Sequence, residues 1–105
     1  MRPYTAKEKE TAFRLLSQIL ACRIDARAHG DGLAVWVDKI RETMMVRGWS
    51  AVAAGMAIAN GFVRNVEADE YVRSFGVRCA FAAIGEIHDK ATGQVLLREC
   101  LEAIS

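Results

Sequence analysis

Five side chains have the chemistry of soft metal ligands: His29, His88, Cys22, Cys79 and Cys100. None pairs with another at a ligand spacing such as Cys-x₂₋₄-Cys or His-x₃₋₅-His, and His88-Asp89 supplies at most half of a site. Neither a metal nor another cofactor is expected. Ser17, Ser50, Ser74 and Ser105 lack any motif that would place a base beside a nucleophile. Ser50 is better explained as a helix cap. The three cysteines fall among apolar residues at helical spacing, the pattern of buried, unactivated free thiols in a reducing compartment. Paired carboxylates can do acid–base work, but Glu67, Asp69 and Glu70 crowd the start of a helix, where they favour its dipole. Gly30-Asp31-Gly32 lacks the length and the lysine of a phosphate-binding loop. The chain is expected not to be an enzyme.

What remains is chemistry for binding. On a helical wheel Arg23 and Arg27 fall inside a wide apolar face that also carries Leu16 and Leu20. Arginine forks beside apolar surface suit a protein interface; the plainer reading is an internal ion pair to Asp25 or Asp31. Trp36 falls in an apolar stripe, as a core residue does. Trp49 stands between a glycine stop and a serine cap, either covering a helix corner or exposed as an anchor. Val77, Phe81 and Ile84 form a second stripe on a later helix, opposite Val72, Phe75 and Cys79. The expected protein-contact residues are therefore Leu16, Leu20, Arg23, Arg27, Trp49, Val77, Phe81 and Ile84.

The elements that must position these residues are all helical. Thr5-Ala6-Lys7-Glu8 has the form of a capping box, and the spacing predicts a first helix to about Ala28 with Gly30 as its stop. Asp31 is the expected cap of a second helix over Leu33 to Arg47, ended by Gly48. Ser50 then caps a run, residues 51–63, that is apolar nearly all round. Such a helix belongs at the centre of a domain. Ala53, Ala57 and Gly61 stand four apart in it, as at a close helix crossing, so Ala57 and Gly61 are expected to be buried. Asn65 is expected to cap a fourth helix. Thr92-Gly93 reads as a break before a fifth helix over Gln94 to Ile104. No alternating strand pattern occurs. The expected fold is all-α: one domain over residues 1–105, a compact bundle of about five helices around the small-residue helix 51–63.

Composition narrows the partners. Half of the 105 residues are hydrophobic (52%), and 14 basic residues face 13 acidic ones, so the chain should fold but has no net field for a polyanion. Residues 49–56 faintly match the start of a helix-turn-helix. The recognition segment would then be 57–64, where only Asn60 and Arg64 can read a base edge. Nucleic acid is thus not the expected partner. No apolar run reaches the roughly 20 residues that span a bilayer, and the amino terminus carries no signal-peptide pattern, so a cytoplasmic protein without a membrane partner is expected. In length, helicity and lack of catalytic motifs the chain resembles the small helical proteins with which phages and mobile elements block host machinery, anti-CRISPR proteins among them. It is similar in the same respects to antiactivators that sequester transcription regulators. That likeness transfers no residue. The expected function is an inhibitor or adaptor that binds a larger protein, with homodimerisation also expected. The alternative is a DNA-binding or transcription-regulating protein.

Overall fold

Local chemistry starts and stops most of the helices. The computed structural model describes residues 2–24 and 32–104. Helix α1 (Ala6–Ile19) opens on the expected capping box: the Glu8 N–H donates to Thr5 Oγ1 at 3.1 Å, and the Thr5 N–H donates to Glu8 Oε1 at 2.8 Å. Arg2 forks onto the same carboxylate at 2.8 and 2.6 Å, with its guanidinium 3.7 Å from the centre of the Tyr71 ring. Helix α2 (Leu33–Arg47) ends at Gly48, whose φ of 68° is left-handed backbone. Helix α3 (Ala51–Arg64) starts at Ser50, whose hydroxyl accepts the Ala53 N–H at 3.1 Å. Helices α4 (Glu70–Ile87) and α5 (Lys90–Ile104) complete the chain. Among the described residues every element is helical, and the helices pack against one another as an all-α bundle.

Four boundaries differ from expectation. Helix α1 stops at Ile19, not near Ala28. Ala21 takes φ 51°, and the Cys22 and Ala21 N–H groups donate to the Ser17 and Gln18 carbonyls at 3.0 and 3.1 Å. These are the two bonds of a Schellman end, with alanine where glycine is usual. Alanine, cysteine and arginine are all acceptable in a helix, so no local signal announces this stop. The part of the longer helix that would cover residues 25–28, Gly30 as its stop and Asp31 as a cap lie outside the described residues; the cap position of α2 is held by Gly32. Asn65 closes α3 instead of opening α4. Asp69 caps α4, its carboxylate accepting the Tyr71 N–H at 2.8 Å. Helix α5 begins at Lys90, because Asp89 accepts both the Thr92 N–H (2.8 Å) and the Thr92 hydroxyl (2.7 Å). Gly93 therefore lies within a helix and breaks nothing.

The centre is shared. Helices α3 and α4 each pack against all four other helices, and α4 buries the more residues. The helix expected at the centre, 51–63, is central, and it shares that place with α4. Helix α3 turns Ala51, Ala54, Gly55, Ile58, Ala59 and Phe62 inward, while Ala53 and Ala57 face out and Gly61 is half-buried. An alanine left in water forfeits little apolar burial, so a helix of small residues needs less cover than its hydropathy suggests. Gly61 does mark a close approach, since a Cβ there would sit 2.8 Å from the Ile19 side chain. Helix α4 is sandwiched. Its glycine at 76 admits the Phe62 ring, and Ile84 reaches into the space that Gly55 leaves. The aromatic core gathers on Trp36, fully buried as expected, with Phe13, Phe62 and Phe75 at 5.8, 5.7 and 6.2 Å between ring centres. Val35, next to Trp36 on α2, is also fully buried.

Candidate functional site

The side chains expected to make contacts divide into two groups. Leu16, Val77 and Ile84 are fully buried and Phe81 is 1% exposed; all four belong to the chain's own core. The expectation that they offer a surface is corrected. Helix α1 is shorter than its periodicity implies, so Ala12, Phe13 and Leu16 can all be covered by the bundle. The two stripes of α4 face different neighbours of the same domain. Arg27 and His29 lie outside the described residues. Leu20, Arg23 and Trp49 do reach the surface: Leu20 is half-buried, Arg23 is exposed and Trp49 is 40% exposed.

Two of those three meet in one place. The end of α1, the last two turns of α2, the corner before α3 and the outer side of α3 enclose a cleft of about 200 Å³. Leu20, Val46, Trp49 and Ala57 supply apolar lining, and Lys39, Glu42, Thr43, Arg47 and Cys22 supply polar lining. Each is set by a local feature. The Schellman end of α1 swings Cys22 off the helix axis. The left-handed Gly48 turns the chain so that Trp49 folds back beside α2. There the Arg47 guanidinium stands 5.4 Å from the Trp49 ring centre, within cation–π reach. Lys39 donates to Glu42 at 2.9 Å, one turn on. That hydrogen bond raises the Lys39 pKa further, so the ammonium stays charged.

Two of the apolar residues that line the cleft, Val46 and Trp49, are exposed. Met45 is 86% and Val46 77% exposed, so Met45, Val46 and Trp49 place three large apolar side chains in water within five residues. The sequence signal for this was present but slight: Met45 and Val46 sit off the inward stripe of α2. Nothing in the spacing pointed to Lys39, Glu42 or Ala57 as neighbours, because they meet only when three helices converge.

A second hollow of about 260 Å³ lies between α4, α5 and Leu33, lined by Arg78, Phe81, Glu86, Lys90 and Leu97 among others. Arg78 Nε is shut off from solvent, with no hydrogen-bond partner among the described residues. An atom that water cannot touch cannot meet a ligand entering that hollow, so its lack of a partner does not mark a site.

The remaining candidates for chemistry are dispersed. All three described cysteines are free; Cys100 is buried, while Cys22 and Cys79 are half-buried. Burial pushes the Cys79 thiol up to about 12 and raises Cys100 as well, which disfavours either thiolate. His88 caps the end of α4, with Nε2 3.3 Å from Asp89 Oδ2. Among the described residues no three His, Cys, Asp or Glu side chains gather as a metal site would require, and no helix is long and apolar enough to cross a membrane. The segment that a helix-turn-helix would lay in a groove, residues 57–64, turns Ile58, Ala59 and Phe62 into the core and leaves Asn60 half-buried, with Arg64 exposed. No family model, curated protein or solved structure matches this chain.

Proposed function

We propose that this chain is a non-enzymatic protein-binding domain, an inhibitor or adaptor of a larger protein, and that the cleft at the ends of α1 and α2 is its contact site. The observation that carries this reading is the exposed run Met45, Val46 and Trp49 beside a concave surface. Scattered exposed apolar residues are ordinary; large ones grouped beside a hollow mark a binding surface. Tryptophan and arginine are the residues most enriched where interfaces hold most of their affinity, and here they stack on each other. Sequestration of a partner, by an antiactivator or by an anti-host protein of a mobile element, requires such a surface and no chemistry. The free thiols suit a reducing compartment such as the cytoplasm.

The test is affinity purification of the tagged protein from its source cell, with Trp49→Ala and Val46→Glu alongside. Both residues are exposed, so neither substitution disturbs the core. A partner recovered in stoichiometric amount with the wild type should be lost or weakened at least about 30-fold by each variant, the effect of removing an interface anchor. Recovery of the same partner at full yield by both variants refutes the assignment.

A further inference from the structure

We propose that the end of α1 is a two-state device. Residues 20–24 exchange between the left-handed turn at Ala21 and a continuation of the helix, and the exchange decides whether Cys22 lines the cleft. It is a property of the chain alone, so it stands or falls apart from the protein-binding reading.

The backbone hydrogen bonds make the exchange nearly even. In the turn the Ala21 N–H donates to the Gln18 carbonyl and the Cys22 N–H to the Ser17 carbonyl. In a continued α-helix each N–H bonds the carbonyl four residues back. The same two donors would then take the same two carbonyls with the partners swapped, so neither state forfeits these bonds. The pivot is a single residue. Leu20 already has right-handed backbone, φ −88° and ψ −4°, and its N–H keeps the helical bond to the Leu16 carbonyl at 3.0 Å. The chain departs at Ala21, where φ turns to 51°.

Opposed effects hold the two states close. An alanine in the left-handed region is disfavoured by about 5–30-fold in population against the right-handed one. Residues 20–24 contain no proline or glycine to oppose a helix. Against this, the Ser17 hydroxyl donates to the Cys22 carbonyl in the turn, and Leu20 and Ile24 pack half-buried against the core. The helical state alters the cleft. In the turn Cys22 is half-buried and lines it. In a continued helix Cys22 stands nine residues after Phe13, about half a turn round the axis from it. Phe13 is buried in the core, so the helix carries Cys22 to the outer side and removes one part of the cleft wall. Any ligand that uses that wall selects the turn.

The experiment compares the full chain with Ala21→Gly, Ala21→Val and Ser17→Ala. The readouts are NMR ¹³Cα shifts at residues 22–24 and the rate at which a maleimide labels Cys22, mapped by mass spectrometry. Residue 21 is exposed, so neither change there touches the core, and unchanged shifts along α4 check that each variant is folded. Glycine is free in the left-handed region and should move the population about 5–30-fold towards the turn. Valine is strongly disfavoured there and should move residues 22–24 towards helical shifts. Ser17→Ala removes a bond made only in the turn and should shift them the same way. Wild-type shifts should lie between those of Ala21→Gly and Ala21→Val, and Cys22 of Ala21→Val should label at least about fivefold faster than that of Ala21→Gly. Turn-type shifts and one labelling rate shared by all four proteins would mean a single state and overturn the proposal.

Discussion

Replacing Gly93 with alanine should destabilise the protein, although alanine is the better helix former. In an exposed helix interior the exchange would add about 0.8–1 kcal/mol of stability. Gly93 is buried where α5 crosses α4, and a Cβ there would lie 2.7 Å from the Phe81 carbonyl oxygen and 3.5 Å from the Gly85 nitrogen. Ordinary contact begins near 3.4 Å, so 3.4 − 2.7 leaves about 0.7 Å for the two helices to move apart. The obstructing atom is backbone and cannot rotate away. Overpacking of this kind costs about 1–3 kcal/mol, and a rigid obstacle places it near the upper end. Subtracting the propensity gain leaves a net loss of about 2 kcal/mol. For a domain of this length that lowers Tm by about 8–16 °C. Gly85→Ala is the matched control, because its Cβ would meet Lys90 at 3.5 Å or more, an ordinary contact; that variant should equal the wild type or gain up to about 1 kcal/mol. Both are read by thermal and urea denaturation followed by helical circular dichroism. A Gly93→Ala protein at or above the wild-type Tm would refute the crossing and restore Gly93 to the role of a chain break.

Three other perturbations bear on particular features. Ala21→Gly should stabilise the protein by about 0.5–1 kcal/mol in urea unfolding, since glycine relieves the left-handed strain at φ 51° at a smaller entropic cost; an unchanged or lower stability contradicts the Schellman end of α1. The hydrogen bond from Arg2, aided by that from the Thr5 backbone, lowers the Glu8 pKa from 4.5 to about 2. Its stabilising effect is complete above pH 4.5 and is lost as pH falls towards 2. A plot of Tm against pH should be flatter for Glu8→Gln than for wild type across that window; parallel curves would show that the fork contributes nothing. Cys79, with its thiol pushed up to about 12 by burial, should label slowly with a maleimide or disulfide reagent at pH 8 and quickly after unfolding. Rapid labelling of the native protein at Cys79, mapped by mass spectrometry, would place it in solvent.

Features that depend on a few neighbouring residues are legible in the chain alone. The Thr5–Glu8 capping box, the Gly48 stop and the Ser50 cap are matters of hydrogen bonding and φ within one turn, and they set three helix boundaries without reference to the rest of the fold. The apolar periodicity likewise determines that the chain is all-α, and the Trp36 stripe on α2 does face the core. Of the candidate site, Trp49 could be singled out by its place between a glycine stop and a serine cap, and Leu20 by its place on the wide apolar face of the first helix. Their meeting could not, because Lys39, Val46, Trp49 and Ala57 converge only through the packing of α1, α2 and α3.

Tertiary structure decided everything that turns on what covers an apolar face. Periodicity shows that a helix has two greasy sides but not whether the second meets a neighbour or solvent. Val77, Phe81 and Ile84 therefore look the same in sequence whether they serve a partner or, as here, the core. Small residues carry the same ambiguity. Gly93 reads as a break and Ala57 as a crossing, yet Gly93 is the crossing and Ala57 faces out, because only the path of the neighbouring backbone decides which is needed. The end of α1 at Ala21 is of this kind too. No residue there forbids a helix, and the turn is stabilised by hydrogen bonds to Ser17 and Gln18 that exist only once the chain has reversed. Local chemistry sets where most helices begin and end, whereas burial depends on distant parts of the chain that sequence spacing does not encode.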